Sequence, residues 1–285
     1  MQVSICADIG NDCSIMPESI ASDFGVPLYT NPYFTPGYAE GRYGRWKIVR
    51  GGFVLDRGYY SGLWGVVGLP ALMREREGGE GGWDTWMSLS PHEIESQRLG
   101  IDYAHGSVVV MGLGMGWVAA NIALSPRVTR VSVIERDPEV IELFSRTQGF
   151  ADLPDEAKAK LSIVEADALL WQPEQAVDFL YADIWRTLSE PQTLDDVRQM
   201  QINVGAREVY FWGQELWIHR LAITGLGEKG GLVSWAEAVA YTVRERIGLP
   251  LLQPTDFDYP DLITQIAALR RQRFPLSPEN SSPSL

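Results

Sequence analysis

The run Val109-Val110-Met111-Gly112-Leu113-Gly114-Met115-Gly116-Trp117 sets three glycines at every second position between a β-branched apolar stretch and an apolar helix-forming one. Without Cβ atoms such a segment turns tightly and lets a ligand approach the main chain, and the helix behind it offers unpaired N–H groups. The next apolar strand, Val128 to Glu135, ends in a carboxylate 21 positions after Gly114. An acid about 20 residues on, at the tip of the following strand, is placed to accept hydrogen bonds from ribose hydroxyls. Asp167 follows the short apolar strand Leu161 to Val164, and Asp183 follows Phe179 to Ala182. Asp183 is the candidate general base. Tyr181 and Trp185 flank it, and partial desolvation would raise its pKa enough to take a proton from an attacking amine or hydroxyl. The plainer alternatives are a surface strand end for Glu135, a helix cap for Asp167, and a cap or an ion pair with Arg186 for Asp183.

The glycine spacing narrows the ligand. Dinucleotide sites use G-x-G-x-x-G, whose third glycine permits close helix–strand packing around a pyrophosphate. Here the spacing is G-x-G-x-G and Trp117 stands at the position of that third glycine, which disfavours a nicotinamide cofactor. No Gly-Lys-Ser/Thr follows, so a Walker-type phosphate loop is excluded.

This pattern resembles the S-adenosylmethionine (SAM)-dependent methyltransferases of the Rossmann-like class. The likeness covers roughly residues 105 to 215 and rests on the glycine motif, Val133-Ile134-Glu135-Arg136-Asp137-Pro138, Val164-Glu165-Ala166-Asp167-Ala168, and Asp178-Phe179-Leu180-Tyr181-Ala182-Asp183. It implies a cofactor site formed by Gly112, Gly114, Gly116, Glu135, Asp167 and Asp183. In that family the second-strand acid holds the ribose, the Asp after the third strand holds the adenine amine, and the acid ending the fourth strand lies beside the sulfonium. The carry-over gives Glu135, Asp167 and Asp183 those roles.

Within the class, the order of parts is similar to that of the spermidine synthases, which place a small β domain before the glycine motif. Leu55-Asp56-Arg57-Gly58 and Pro91-His92-Glu93 match their Leu-Asp-Gly strand and Tyr-His-Glu helix start. That resemblance puts Asp56 and His92, with Trp185, among the residues that would meet an acceptor. It also implies self-association through the N-terminal region. The chain departs from the family after the fourth strand, where Asp-Ser-x-Asp-Pro is replaced by Asp183-Ile184-Trp185-Arg186. One of two acids is missing and a cationic Arg enters, which weighs against aminopropyl transfer to a diamine. The expected activity is therefore methyl transfer from SAM to a small molecule, amines included. The rivals are aminopropyl transfer from decarboxylated SAM and a non-catalytic binding or scaffold role on the same fold.

The elements that must position these residues can be read from the periodicity. Residues 1–104 form an irregular, β-containing region with a linking helix. Within it Arg45 to Arg50 alternates as a half-buried strand, Gly51-Gly52 turns into Phe53 to Leu55 as a β meander, and Glu75 to Gly82 reads as a flexible loop. Ser90-Pro91-His92-Glu93 opens a helix running to about Leu99, with Ser90 as N-cap, Pro at the first position and Glu93 as capping partner. From 105 to 274 strands alternate with helices, which predicts an α/β fold of the Rossmann-like kind: a mostly parallel sheet with helices on both faces. C-terminal helices follow, over Gln214 to Ile223, Trp235 to Ile247 behind a Ser234/Glu237 capping box, and Pro260 to Arg273. No antiparallel strand pair is evident after Trp212. Residues 275–285 hold three Pro and four Ser and read as a disordered tail. The Trp residues near the sheet ends, Trp117, Trp185, Trp212 and Trp217, read as core packing ahead of an aromatic box for a cation.

Composition limits the partners. In 285 residues, 24 Lys and Arg stand against 37 Asp and Glu, a net charge of −13, and only four of the basic residues are Lys. That balance argues against a nucleic-acid partner, which needs clustered basic side chains, as does the absence of the Asn/Asp-Pro-Pro-Tyr motif. At 45% hydrophobic and 21% charged residues there is ample material for a core. The uncharged stretch Gly106 to Pro126 is long enough to span a bilayer, but its glycines and β-branched start favour a strand, a turn and a helix. No secretory signal is evident at the N-terminus. Cys6 and Cys13 make no disulfide framework and three scattered histidines make no metal site, so the expectation is a cytoplasmic protein with reduced thiols, no metal and no membrane.

Overall fold

The computed structural model describes residues 25–78, 81–147, 149–228 and 234–273. Cys6, Cys13, most of the irregular opening segment and the Ser/Pro tail lie outside the described residues.

Six strands come first: β1 (Gly41–Tyr43), β2 (Trp46–Arg50), β3 (Phe53–Arg57), β4 (Leu63–Val67), β5 (Pro70–Glu75) and β6 (Trp83–Ser88). They do not form the expected meander. Gly51-Gly52 is not a hairpin turn: β2 pairs with β1 and β5, while β3 turns away to pair with β4 alone. The result is a four-stranded antiparallel sheet in the order β1-β2-β5-β6 beside a two-stranded ribbon. The segment read as a loop from Glu75 to Gly82 starts within β5 and then joins β5 to β6.

The linking helix α1 (Pro91–Tyr103) is one turn longer than expected. Ser90 Oγ accepts from the Glu93 amide at 3.3 Å. The Glu93 carboxyl, however, turns to Gln97 instead of back to the cap. Past α1 the alternation proceeds through β7 (Gly106–Met111), α2 (Trp117–Leu124), β8 (Val128–Glu135), α3 (Pro138–Arg146), the single turn α4 (Asp155–Lys158), β9 (Leu161–Glu165), β10 (Phe179–Ala182), α5 (Thr193–Val204) and β11 (Glu208–Phe211). The five strands are all parallel, in the order β11-β10-β7-β8-β9. This is the Rossmann-like α/β arrangement.

Successive strand residues point to opposite faces, and here both faces are apolar, as a sheet covered on two sides requires. Val108, Val110, Val133, Phe179, Tyr181 and Tyr210 face a core shared with α1, α2 and α3. Trp46, Ile48 and Leu72 of the N-terminal sheet belong to that same core, so one apolar cluster runs through both parts of the chain. Val109, Met111, Leu180, Ala182, Val209 and Phe211 face the other way, against α5 and the C-terminal helices.

Those helices are α6 (Gln214–Glu228), α7 (Trp235–Tyr241) and α8 (Tyr259–Arg273). The Ser234/Glu237 capping box is formed. The helix expected to reach Ile247 unwinds into a π-helical turn over Thr242–Ile247 and stops at Gly248. The chain then runs beside β11. The Val209 amide donates to the Pro250 carbonyl at 2.9 Å and the Leu252 amide to the Val209 carbonyl at 2.7 Å. This short parallel bridge covers the sheet edge. Among the described residues no antiparallel strand pair follows β11.

Helix α1 lies so close to the sheet that a Cβ on Gly100 would stand 2.1 Å from Tyr181 Cε2 and 2.6 Å from Tyr210 Cδ1. Both rings are fully buried and have no room to yield. Helix propensity alone would have Gly100→Ala gain up to about 1 kcal/mol. Overpacking against two aromatic rings outweighs that gain, so a net loss of about 1–3 kcal/mol is expected, measured as a lower midpoint in urea unfolding.

Candidate functional site

The main cavity, about 560 Å³, opens at the carboxyl ends of β7, β8 and β10. That is where ligands bind in open parallel sheets, at the reversal of strand order. Gly112, Leu113 and Gly114 form one wall, with Glu135, Asp167, Asp183 and Trp185 around it. The six cofactor positions read from the sequence therefore converge. Five of them line the cavity, and Gly116 closes the glycine turn behind it.

The glycines are there for different reasons. Gly112, at φ +100°, faces the fourth strand, where a Cβ would lie 2.1 Å from the Asp183 carbonyl oxygen. Gly114, at φ +51°, sits under the N-terminal sheet, where a Cβ would meet Met87 Sδ at 2.5 Å. Gly116, at φ +70°, is the N-cap of α2 and packs against Phe144. Trp117 follows it and is 1% exposed, with its ring edge-to-face on Tyr33. It lines the cavity without filling it.

Glu135 turns toward the glycine loop. Its Oε2 accepts from the Leu113 amide at 3.0 Å and its Oε1 from the Asp137 amide at 2.9 Å. A carboxylate offers about four lone-pair sites, so two remain for a diol at the cavity. Asp137 caps α3 through the Glu139 amide and accepts from Trp46 Nε1 at 2.9 Å, which ties the N-terminal sheet to this wall. Asp167 accepts from the Leu169 amide at 2.8 Å. It thus forms a local turn and still faces the cavity.

Asp183 leaves β10 on the deep side. Its amide donates to the Met111 carbonyl at 2.9 Å, which extends the strand pairing by one residue. Its side chain retains some exposure, and it lies deep in the protein as part of the cavity lining. Burial pushes its carboxyl up to about 7. The expected alternative pairing with Arg186 is not made: Arg186 bridges to Asp84 at 3.4 Å. Trp185 is held by a hydrogen bond from its Nε1 to Asp196 at 2.8 Å.

Asp56 and His92 are not among the residues lining this cavity. Asp56 accepts from the Arg57 amide at 2.9 Å, and His92 packs edge-to-face on Tyr59 in a separate small recess. The neighbour of His92 takes the place in the cavity instead. Glu93, assigned to helix capping from the sequence, lines it together with Gln97 one turn later. Burial and the nearby Asp183 push Glu93 well above the usual carboxylate range. The sequence offered only a run rich in polar residues, Glu93, Glu95, Ser96 and Gln97, and the structure shows that α1 buries all four. Such positions need polar partners.

Among the described residues no helix is long and apolar enough to cross a membrane, and no cluster of His, Cys, Asp and Glu could hold a metal ion.

Neither a family model nor a curated protein matches the chain. Solved structures similar to it include the glycopeptide N-methyltransferase MtfA complexed with S-adenosyl-L-homocysteine, at 17% identity and TM-score 0.31 over 39% of this chain and 41% of that one. The 23S rRNA methyltransferase ErmE is 16% identical at TM-score 0.29, over 38% of each chain. The precorrin 8W decarboxylase of Methanobacterium thermoautotrophicum is 23% identical at TM-score 0.32, over 48% of this chain and 74% of that one. The chain thus spans less than half the length of MtfA and ErmE. At such scores the likeness adds nothing to what the strand order itself shows.

The raised Asp183 carboxyl has a consequence for stability. A buried acid whose folded pKa lies near 7, against an ordinary value of 3.8, costs nothing below pH 4. It weakens the fold progressively as pH rises toward 7, because the unfolded chain releases the proton more readily. Asp183→Asn removes that slope. Relative to the parent, the variant is expected to gain about 1–3 kcal/mol between about pH 4 and pH 8, read from urea unfolding across that range.

Proposed function

We propose that the chain is a SAM-dependent methyltransferase acting on a small molecule. The single observation that carries this reading is the convergence of the glycine turn, Glu135, Asp167 and Asp183 on one cavity of a size usual for small ligands. The residues present fit such a cofactor: Glu135, Asp167 and Asp183 line the cavity beside the glycine turn, and Glu135 accepts only two of the hydrogen bonds a carboxylate can take. When bound, SAM supplies an activated methyl group on a sulfonium. Glu135 would hold the ribose hydroxyls and Asp167 the adenine amine. Asp183 would accept the proton that the acceptor loses, and Trp185 would bound the acceptor's side of the cavity. A group with a pKa near neutrality is suited to that exchange. The acceptor would be a small molecule with an N–H or O–H, amines included, and not a nucleic acid. A cytoplasmic setting and self-association through the N-terminal sheet belong to the same proposal.

A second reading, aminopropyl transfer from decarboxylated SAM, gains from Glu93. The acid missing after the fourth strand is supplied to the cavity by α1. A third, a scaffold role, is favoured by a sheet that, among the described residues, ends at β11 without the usual antiparallel pair.

Calorimetry with S-adenosylhomocysteine and methylthioadenosine separates binding from scaffold. Heat with either ligand is expected, and Glu135→Gln should weaken it at least about tenfold through loss of charge-assisted hydrogen bonds. No heat with either leaves the scaffold reading in front. Incubation with both cofactors and a panel of amines then tells the two transfers apart by product, S-adenosylhomocysteine or methylthioadenosine. In that assay Asp183→Asn should bind cofactor as the parent does and transfer about 10²-fold more slowly.

A further inference from the structure

Two carboxyl groups of the cavity share one amide. Gln97 Nε2 donates to Glu93 Oε1 at 2.7 Å and to Asp183 Oδ2 at 3.4 Å. The glutamine is fully buried, and its own carbonyl oxygen has no hydrogen-bond partner. An orphaned buried carbonyl costs about 1–3 kcal/mol, so this orientation is held by what the other end of the amide does. The two carboxyls come from distant parts of the chain, Glu93 from α1 and Asp183 from the end of β10. Gln97 is the group that joins them.

Among the described residues no cation forms an ion pair with either carboxyl. Of the arginines lining the cavity, Arg45 pairs with Asp137 and Glu139 and Arg74 with Glu77, and neither the third, Arg136, nor Arg186 nearby, which bridges to Asp84, forms an ion pair with Glu93 or Asp183. The titratable groups that do face the pair add no positive charge: Asp56 from β3 acts on Glu93, and the buried Tyr181 of β10 lies near both. Two like charges in one buried site do not both persist, and such a pair keeps a proton between them.

We propose that Gln97 is a positioning residue that clamps Glu93 and Asp183 into a carboxyl pair holding one proton, with the negative charge on Asp183 and Glu93 neutral. Each charge opposes the other equally, and Asp183 is the partner that ionises first because it keeps some exposure at the cavity while Glu93 is buried on α1. The cavity floor therefore presents a single charge and can neutralise a single positive group on an acceptor. The role of the pair in transfer rests on the reading of Asp183 as the base; the pair itself does not.

The test is a pH titration of the ligand-free protein labelled with ¹³C at Asp and Glu carboxyls, followed by NMR. Signals are assigned by their loss in Asp183→Asn and Glu93→Gln. Asp183 is expected to titrate near neutrality while Glu93 stays protonated. In Glu93→Gln its midpoint should move by less than about half a unit, because a neutral group replaces a neutral one. In Gln97→Met, which removes the donor at similar volume, the midpoint should rise by about one unit. A change in packing alone would lower the melting temperature without that shift. Asp183 titrating below about pH 5, a fall of more than about one unit in Glu93→Gln, or no shift in Gln97→Met would each overturn the proposal. If Gln97→Met does not fold, the parent and Glu93→Gln titrations still decide it. Calorimetry with S-adenosylhomocysteine on the same samples tests the cofactor reading independently, so either can fail alone.

Discussion

At the junction of β7 and β10 the backbone of Gly112 passes so close to the Asp183 carbonyl that a single added carbon would stand 2.1 Å from it. The two strands run in register, with Met111 opposite Ala182, so the chain leaves both at the same level. One exit becomes the glycine turn and the other becomes Asp183. A side chain at 112 would push these exits apart, and φ +100° would strain it besides. The glycine turn and Asp183 thus line one cavity because the sheet holds them at this spacing. Glu135 follows from the same geometry. It ends β8, the next strand over, and braces the turn by accepting from the Leu113 amide.

Around that junction the environment is set by elements outside the parallel sheet. Met87 and Trp86 of β6, with Trp46 and Leu72, cover the turn from above, and α1 supplies Glu93 and Gln97 below. Covering a cavity this way removes water, and removing water strengthens every interaction between charges inside it. The same burial is what lifts Asp183 toward neutrality. The roof and the raised carboxyl are therefore one device. An acid left open to solvent at the tip of β10 would be ionised across the neutral range.

The parallel sheet was legible from the sequence because its signals are local. Val108 to Met111 and Phe179 to Ala182 are short apolar runs buried on both faces, and each is followed by the glycine or acid that lines the cavity. The N-terminal sheet was not legible in the same way. Its pairings, β2 with β5 and β5 with β6, depend on contacts between separated segments, and its Gly-rich turns look alike whether they close a hairpin or carry the chain to another sheet. Gly51-Gly52 is the second kind. His92 and Glu93 show a finer limit. Neighbours on a helix point about 100° apart, so sequence resemblance can locate the helix and still miss by one residue the side chain that enters the cavity. Here the phase of α1 sends His92 to Tyr59 and Glu93 to Gln97.

The elements that close the cavity lie outside the five strands. The strands fix the turn, Glu135 and the level of Asp183. Around them stand a buried polar face on α1, an apolar roof from β5 and β6, and Trp185 tied to Asp196 on α5. The apolar core ties the first two of these to the sheet, since Leu72 packs in the same cluster as Val110 and Trp117. A change in the roof is thus felt at the turn, and the covering elements are not free to drift as an appended module would. Glu93, Gln97 and Trp185 line the same cavity as the glycine turn, so the elements that cover the turn and the strands that form it share walls.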